Sequence, residues 1–175
     1  ATRKHLVESL GIPHTEVGHV TVDGAEVSLE SPADAIAEAG AVVEVHPATS
    51  APLSMDTDPP CFLADTHLGA LARRLRLLGF DTRLAGPGPD AGIASCAERE
   101  DRIVLSRDRG LLMHRRIRRG RLIRATRTDA QLREVVLRFG LRGAMRPFTR
   151  CLECNAPLQA VAREDVSAAL PPRVL

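Results

Sequence analysis

Aromatic residues are scarce in this chain. They make up 2% of its 175 residues, with four Phe and neither Trp nor Tyr. Proteins that bind single-stranded nucleic acid by stacking bases on aromatic side chains need more rings than this, so that mode of binding is very nearly excluded. The hydrophobic core must instead be built from Leu, Val, Ile and Ala. The length suits one domain with an appendage or two small domains.

Long apolar runs are also missing. No run approaches the roughly 20 residues that a membrane-spanning helix needs, and no secretory signal peptide is recognisable at the start. We therefore expect a cytoplasmic protein with no membrane contact. In that compartment the four cysteines favour metal binding over a disulfide framework, since two of them form the motif Cys151-Leu152-Glu153-Cys154.

Positive and negative charges are separated along the chain. Residues 1–60 carry two basic and ten acidic side chains, a net −8, whereas the remainder carries 22 basic and 12 acidic ones, a net +10. Residues 99–150 hold 16 Arg against five acidic residues. A GC-rich genome would also replace Lys by Arg, but it would not separate the charges. Because guanidinium groups bind phosphate bidentately, the basic part is predicted to bind RNA or DNA.

The first 47 residues predict a small α+β unit. A helical pattern covers residues 3–10, and strand-like runs follow at 16–22, 25–29 and 41–45. Asp23-Gly24, between the first two runs, is a strong hairpin signal. The unit resembles the later part of a β-grasp, ubiquitin-like domain, and we expect the missing first hairpin of that fold to lie upstream. Residues 48–60, rich in Pro, Ser, Thr and Asp, are predicted to be a linker.

Strands and helices alternate from residue 61 onward. Apolar runs predict strands after residue 60 and at 82–85, 102–106 and 121–125, and helical patterns cover 68–78, 90–100, 110–118 and 129–139. Such alternation predicts an α/β fold, with a parallel sheet covered by helices on both faces.

Three aspartates stand at element ends in this α/β part. Asp65 follows the run 61–64, Asp108 comes two residues after the run 102–106, and Asp90 opens a predicted helix. The carboxyl ends of parallel strands line one crevice, so we expect the three carboxylates to converge there. Hard oxygen ligands favour Mg²⁺ or Mn²⁺. The alternative is that each Asp caps a helix or ends a strand.

Four segments resemble the Mut7-C ribonuclease domain, a PIN-like fold. They are FLAD at 62–65, LGALAR at 68–73, LRLLGFDT at 75–82 and IVLSRDRGLL at 103–112. Members of that family are often preceded by a ubiquitin-like domain and followed by a zinc ribbon. The resemblance implies domain bounds of 1–47 for the ubiquitin-like unit, 61–148 for the nuclease and 149–175 for the start of the ribbon.

The resemblance also implies site residues. Asp65, Asp90 and Asp108 would be the catalytic carboxylates, and Asp81 is the best candidate for the further acidic residue that PIN nucleases usually carry. Arg107, beside Asp108, and Arg73 or Arg76, on the helix predicted over 68–78, are the candidates to bind the substrate backbone. The alternative for the arginines is a solvated surface role. His67 is a weaker candidate for a general base.

The cysteines divide into two kinds. Cys151 and Cys154 have the spacing of a zinc knuckle, which is half of a tetrahedral site, and we expect the other half beyond residue 175. A redox role for this pair is the alternative. Cys61 and Cys96 fall in a predicted strand and helix, where they are predicted to be small core residues.

Three functional hypotheses follow. The first is a ribonuclease that uses Mg²⁺ or Mn²⁺ to hydrolyse RNA, such as tRNA or another structured RNA, and also carries Zn²⁺. The second is a non-catalytic RNA-binding adaptor whose ubiquitin-like domain recruits a protein partner. The third is a toxin-like PIN module regulated by its own N-terminal domain. The charge separation also raises the hypothesis that the acidic N-terminal unit folds over the arginine-rich part and competes with nucleic acid.

Overall fold

The structure, a computed structural model, describes residues 2–33, 40–49 and 58–166. Most of the predicted linker and the last part of the predicted zinc ribbon therefore lie outside the described residues. Within the described ranges, no helix is long and apolar enough to cross a membrane.

In its described residues, the N-terminal unit consists of a three-stranded antiparallel sheet and an α-helix. Its elements are α1 (Arg3–Ser9), a 3₁₀ turn (His14–Glu16), β1 (Val17–Val22), β2 (Ala25–Val27) and β3 (Val43–Pro47), in the sheet order β2-β1-β3. Asp23 and Gly24 have φ angles of 49° and 82°, as a two-residue hairpin turn requires. Val7, Val17 and Val20 form its small core. The predicted α+β unit is confirmed.

The second unit alternates strands and helices. Its elements are β4 (Phe62–Ala64), a 3₁₀ turn (Thr66–Leu68), α2 (Gly69–Leu77), β5 (Thr82–Leu84), α3 (Asp90–Arg99), β6 (Ile103–Ser106), α4 (Arg109–Leu112), β7 (Gly120–Leu122), α5 (Thr128–Arg138), a 3₁₀ turn (Leu141–Ala144) and α6 (Arg163–Val166). The four strands are parallel, in the order β5-β4-β6-β7. The predicted α/β class is confirmed.

The sheet lies between two helical layers. Successive side chains of a strand point to opposite faces, so Phe62 packs with α2 and α5 while Leu63 packs with α3 and α4. Each face has its own hydrophobic cluster of aliphatic residues, with Phe62, Phe80 and Phe139 in or against the first. Three of the four Phe residues of the chain therefore pack together in or against this cluster.

Two predicted elements are shorter than expected. The helix predicted over 110–118 ends at Leu112, because the following residues include four arginines whose helical spacing would place like charges together. The strand predicted over 121–125 ends at Leu122. Beyond it, the backbone N–H groups of Arg124 and Ala125 donate to the Glu134 carboxylate rather than to another strand.

Gly79 lets the segment after α5 approach α2 closely. A Cβ atom at this position would lie 2.1 Å from the carbonyl oxygen of Arg146 and 2.9 Å from Thr149 Oγ1, and the backbone has φ of +93°. The N–H of Arg146 donates to the carbonyl of Leu78 at 2.9 Å. This contact fixes where the chain enters the cysteine motif.

Candidate active site at the carboxyl edge of the sheet

Asp65 and Asp108 are linked through Ser106. The register pairs Ala64 with Leu105, so Asp65 stands level with Ser106 at the ends of the two central strands. Ser106 Oγ donates to Asp65 Oδ2 at 2.7 Å and accepts from the backbone N–H of Asp108 at 2.9 Å. Asp65 is 9% exposed and Ser106 is fully buried. Sequence reasoning missed Ser106, although a hydroxyl residue two positions before Asp108 at a strand end was a usable signal.

Asp108 also has the capping role that was the alternative for it. Its Oδ1 accepts a hydrogen bond from the backbone N–H of Gly110 at 2.7 Å at the start of α4. The side chain is solvent-exposed. A cap and a functional carboxylate are compatible, because a carboxylate has two oxygens and several lone-pair directions.

Asp90 lies on the same edge by topology. It is the first residue of α3, which follows β5, and β5 is the neighbour of β4. The loop leading to it touches the turn after Asp65, where Thr66 Oγ1 donates to the carbonyl of Gly86 at 3.4 Å. Asp90 is exposed. The three predicted carboxylates thus occupy one edge of the sheet, with Asp65 at its centre.

The carboxylates do not form a ready metal centre. In the ranges that the structure describes, no three His, Cys, Asp or Glu side chains are grouped so that they can hold one ion. The donor type at this edge fits Mg²⁺ or Mn²⁺, since both ions take carboxylate oxygens. The fit is therefore one of donor chemistry and topology.

Asp81 lies at the opposite edge, which corrects its assignment to the acidic cluster. It precedes β5, so it stands at the amino ends of the strands, and its backbone carbonyl accepts from Phe62 N–H. Arg102, Arg150 and Asn155 contact its carboxylate at 2.5, 3.2 and 2.9 Å. Burial raises the pKa of Asp81, but the hydrogen bonds from Arg102 and Asn155 outweigh burial and leave the pKa lowered. Asp81 is part of a structural ion-pair network.

The three predicted substrate arginines differ in exposure. Arg107, beside Asp108, is exposed, and so is Arg73, which pairs with Glu153 at 2.5 Å. Arg76 is 5% exposed and is not available to a phosphate group. Its guanidinium donates to the backbone carbonyls of Thr82, Leu152 and Glu153 at 2.7 to 2.8 Å. The assignment of Arg76 to substrate binding is therefore wrong.

His67, the weaker candidate for a general base, is exposed on the turn after Asp65.

The Cys151–Cys154 segment forms a turn that backbone hydrogen bonds hold. The N–H of Asn155 donates to the Cys151 carbonyl at 3.1 Å, and Asn155 has φ of +67°. Hydrogen bonds from the backbone N–H groups of Cys154 and Glu153, and from the Cys154 thiol, lower the pKa of Cys151. Arg76 binds the two carbonyls inside the turn, so the turn is attached to α2. Cys61 and Cys96 are partly buried, and burial raises the pKa of both thiols.

Comparison with known families identifies the fold. The family model for the Mut7-C RNase domain matches residues 60–175. The chain belongs to the Mut7-C RNase family. The model for the Mut7-C ubiquitin domain matches residues 1–52. No curated protein and no solved structure matches the chain. Membership of the Mut7-C RNase family supports a ribonuclease-type hydrolase that acts on RNA.

The Mut7-C ubiquitin domain is attached to the Mut7-C RNase domain by buried polar contacts. Glu16, 7% exposed, accepts from the backbone N–H of Leu122 at 2.8 Å and from Arg121 at 2.7 Å. Both ring nitrogens of His14 face acceptors, namely Glu8 Oε1 at 2.7 Å and the Ile117 carbonyl at 2.8 Å. The two domains therefore share an ordered interface along β7, which is an edge strand of the parallel sheet.

Proposed function

We propose that this Mut7-C protein is a metal-dependent ribonuclease that hydrolyses RNA phosphodiester bonds at the carboxyl edge of its parallel sheet. The observation that carries the proposal is the buried Asp65, held by Ser106 beside Asp108, in a chain of the Mut7-C RNase family. A buried carboxylate at the centre of an open edge is well placed for chemistry, because its environment is fixed by the sheet.

Asp65, Asp90 and Asp108 would hold the cation. When bound, Mg²⁺ or Mn²⁺ supplies Lewis acidity that activates water and neutralises phosphate charge. Ser106 donates a hydrogen bond to Asp65 Oδ2 and so fixes the orientation of the carboxylate. The other oxygen, Oδ1, is held in place by the same contact. Arg107 and Arg73 would bind phosphates of the RNA backbone, because both side chains are exposed.

The test is a cleavage assay on mixed RNA substrates with Mn²⁺ and with EDTA. Asp65→Asn and Asp108→Asn should each abolish the Mn²⁺-dependent cleavage and leave the circular dichroism spectrum unchanged, because the amide keeps the shape and removes the charge. Glu98→Gln is the matched control, since Glu98 is an exposed carboxylate near the other end of α3. Full activity in a folded Asp108→Asn protein would refute the site, and equal cleavage in EDTA would refute the metal.

A non-catalytic RNA-binding adaptor is the second candidate. The observation that favours it is that the carboxylates of the described chain are not grouped for a metal and that Asp108 already caps α4. In that case RNA would bind with Mn²⁺ present and remain intact, and Asp65→Asn would leave the affinity unchanged. The ubiquitin domain would then serve to recruit a protein partner.

We infer that Cys151 and Cys154 supply half of a Zn²⁺ site. Support comes from the lowered pKa of Cys151 and from the turn held by Arg76, because zinc binds thiolates. Substituting Co²⁺ for Zn²⁺ should give thiolate charge-transfer absorption that Cys151→Ser removes. Formation of a Cys151–Cys154 disulfide without any metal uptake would instead favour the redox alternative.

A further inference from the structure

A cavity lies between the two domains, away from the aspartate edge. Its volume is about 490 Å³, within the range of small-ligand sites. The walls include Ile103 and Gly120, the first residues of β6 and β7, so the cavity stands at the amino ends of the strands. Polar and aromatic side chains in the wall include those of His14, Thr15, Arg118, Arg119, Arg138 and Phe139.

The cavity wall carries an excess of positive charge. Three arginines face one carboxylate, Asp58, which is exposed to solvent. Arg119 forms a salt bridge with Asp101 at 2.8 Å. Arg118 and Arg138 are therefore the two arginines of this wall whose positive charge is least compensated by carboxylates. Both ring nitrogens of His14 are already bonded, to Glu8 and to the Ile117 carbonyl. The electrostatic environment favours an anion.

Two buried polar atoms of the cavity wall lack hydrogen-bond partners. They are Thr15 Oγ1 and Arg138 Nε, one from each domain, with no partner in the described part of the chain. Buried polar groups are nearly always satisfied, and leaving one unsatisfied is costly. Burial lowers the pKa of Arg138, neighbouring Arg121 lowers it further, and Glu16 opposes this in part. The charge on Arg138 is thus poorly compensated in the unliganded protein.

The cavity has the chemistry of a site for a phosphate group joined to an apolar ring. Guanidinium groups suit phosphate oxygens, because they donate charge-assisted hydrogen bonds. Val17, Ile103 and Phe139 supply an apolar wall on which a base can pack. We propose that this interdomain cavity binds a phosphate monoester attached to a nucleoside, carried either by a free nucleotide or by the 5′ end of an RNA. Arg138 and Arg118 bind the phosphate through their guanidinium groups.

Because one wall comes from each domain, the ligand would also strengthen their contact. Anything that binds only the folded, docked state stabilises it by mass action. The site differs from the aspartate edge in position and charge, so it does not depend on RNA cleavage. The ubiquitin domain contributes to the site because His14, Thr15 and Val17 line the cavity.

The experiment measures binding by calorimetry on the full chain, in EDTA so that no cleavage occurs. The probes are adenosine 5′-monophosphate, adenosine and inorganic phosphate, together with one short RNA bearing either a 5′-phosphate or a 5′-hydroxyl. We expect adenosine monophosphate to bind at least tenfold more tightly than adenosine and to raise the melting temperature. Binding of the 5′-phosphorylated RNA but not of the mononucleotide would assign the phosphate to an RNA end, and the reverse would assign it to a free nucleotide.

Variants separate a binding role from a structural one. Arg138→Met should weaken phosphate-dependent binding at least tenfold, whereas Thr15→Val should keep the affinity, because the Thr15 hydroxyl is buried away from the cavity. Both should raise the melting temperature of the unliganded protein, since each removes an unsatisfied buried polar atom. Arg133→Met, at an exposed arginine on the same helix, is the matched control and should keep the affinity. Equal affinity for adenosine and its monophosphate, or wild-type affinity in folded Arg138→Met, would overturn the proposal.

Discussion

Glu16 Oε1 accepts a hydrogen bond from the backbone N–H of Leu122, a residue 106 positions later in the chain. The other oxygen accepts from Arg121, and Arg124 lies 3.6 Å away. An acidic residue of the ubiquitin domain therefore meets the arginine-rich part of the nuclease domain at the outer edge of β7. The acidic and basic parts of the sequence are thus joined by an ion-pair contact at this edge.

Glu16→Gln should lower the free energy of unfolding by about 1 to 3 kcal/mol. The amide keeps an acceptor for Leu122 but removes the charge that compensates the partly buried Arg121, and removing one partner of such a pair is costly. Urea unfolding measures the change. Glu26→Gln, at an exposed position on β2, should change stability by less than about 0.5 kcal/mol. Equal stability in the two variants would mean that the interdomain contact does not contribute.

Ser106→Ala should reduce Mn²⁺-dependent cleavage by about tenfold or more, with a stability loss of about 1 to 2 kcal/mol. The hydroxyl bridges Asp65 and the backbone of Asp108, so its loss lets the buried carboxylate reorient. Cleavage rates at saturating RNA, taken across a Mn²⁺ titration, measure the effect. Ser95 lies on α3, and its hydroxyl accepts a hydrogen bond from Arg116. As a control, Ser95→Ala should leave cleavage unchanged. A wild-type rate in Ser106→Ala would show that this bridge does not orient the site.

Acid should destabilise the protein through the network around Arg102. A hydrogen bond from Arg102 lowers the pKa of Glu100 from 4.5 to about 2, against the opposing effect of burial. Because the folded pKa is below the unfolded one, the stabilisation is complete above about pH 5 and is lost as the pH falls toward 2. The lowered pKa of Asp81 acts in the same direction.

Urea unfolding at pH 7, 4 and 3 tests this dependence, with Glu100→Gln as the comparison. The variant should start less stable at pH 7 and show a smaller loss on acidification. If both proteins lose the same free energy between pH 7 and 3, the network is not the source of the acid sensitivity.

Arg76→Lys should destabilise the cysteine turn. A lysine cannot donate to three carbonyls in the fixed planar arrangement of a guanidinium, so the carbonyls of Leu152 and Glu153 would lose their donor. We expect a loss of about 2 to 4 kcal/mol in unfolding free energy and faster proteolysis within residues 149–166. Arg74→Lys, on the same helix but exposed, is the control. Undiminished protease resistance in Arg76→Lys would show that the turn is stable without the hydrogen bonds from Arg76.

The sequence predicted the layers of the fold better than the roles of single charged residues. Alternating apolar runs sufficed for the parallel sheet, and strand direction sufficed to place Asp65 and Asp108 on one edge. The same rule should have placed Asp81 at the other edge, because it precedes its strand. Arg76 could not be read correctly, since the carbonyls that bury it lie 76 and 77 residues away.

Gly79 has a consequence for how members of the family are compared. Any relative that keeps the approach of α2 to the Arg146 carbonyl has no room for a side chain at this position. An alignment of such relatives would show an invariant glycine within the segment LRLLGFDT, close in sequence to charged residues that invite a catalytic interpretation. Its invariance would reflect the close packing of two backbone segments and would carry no information about the reaction.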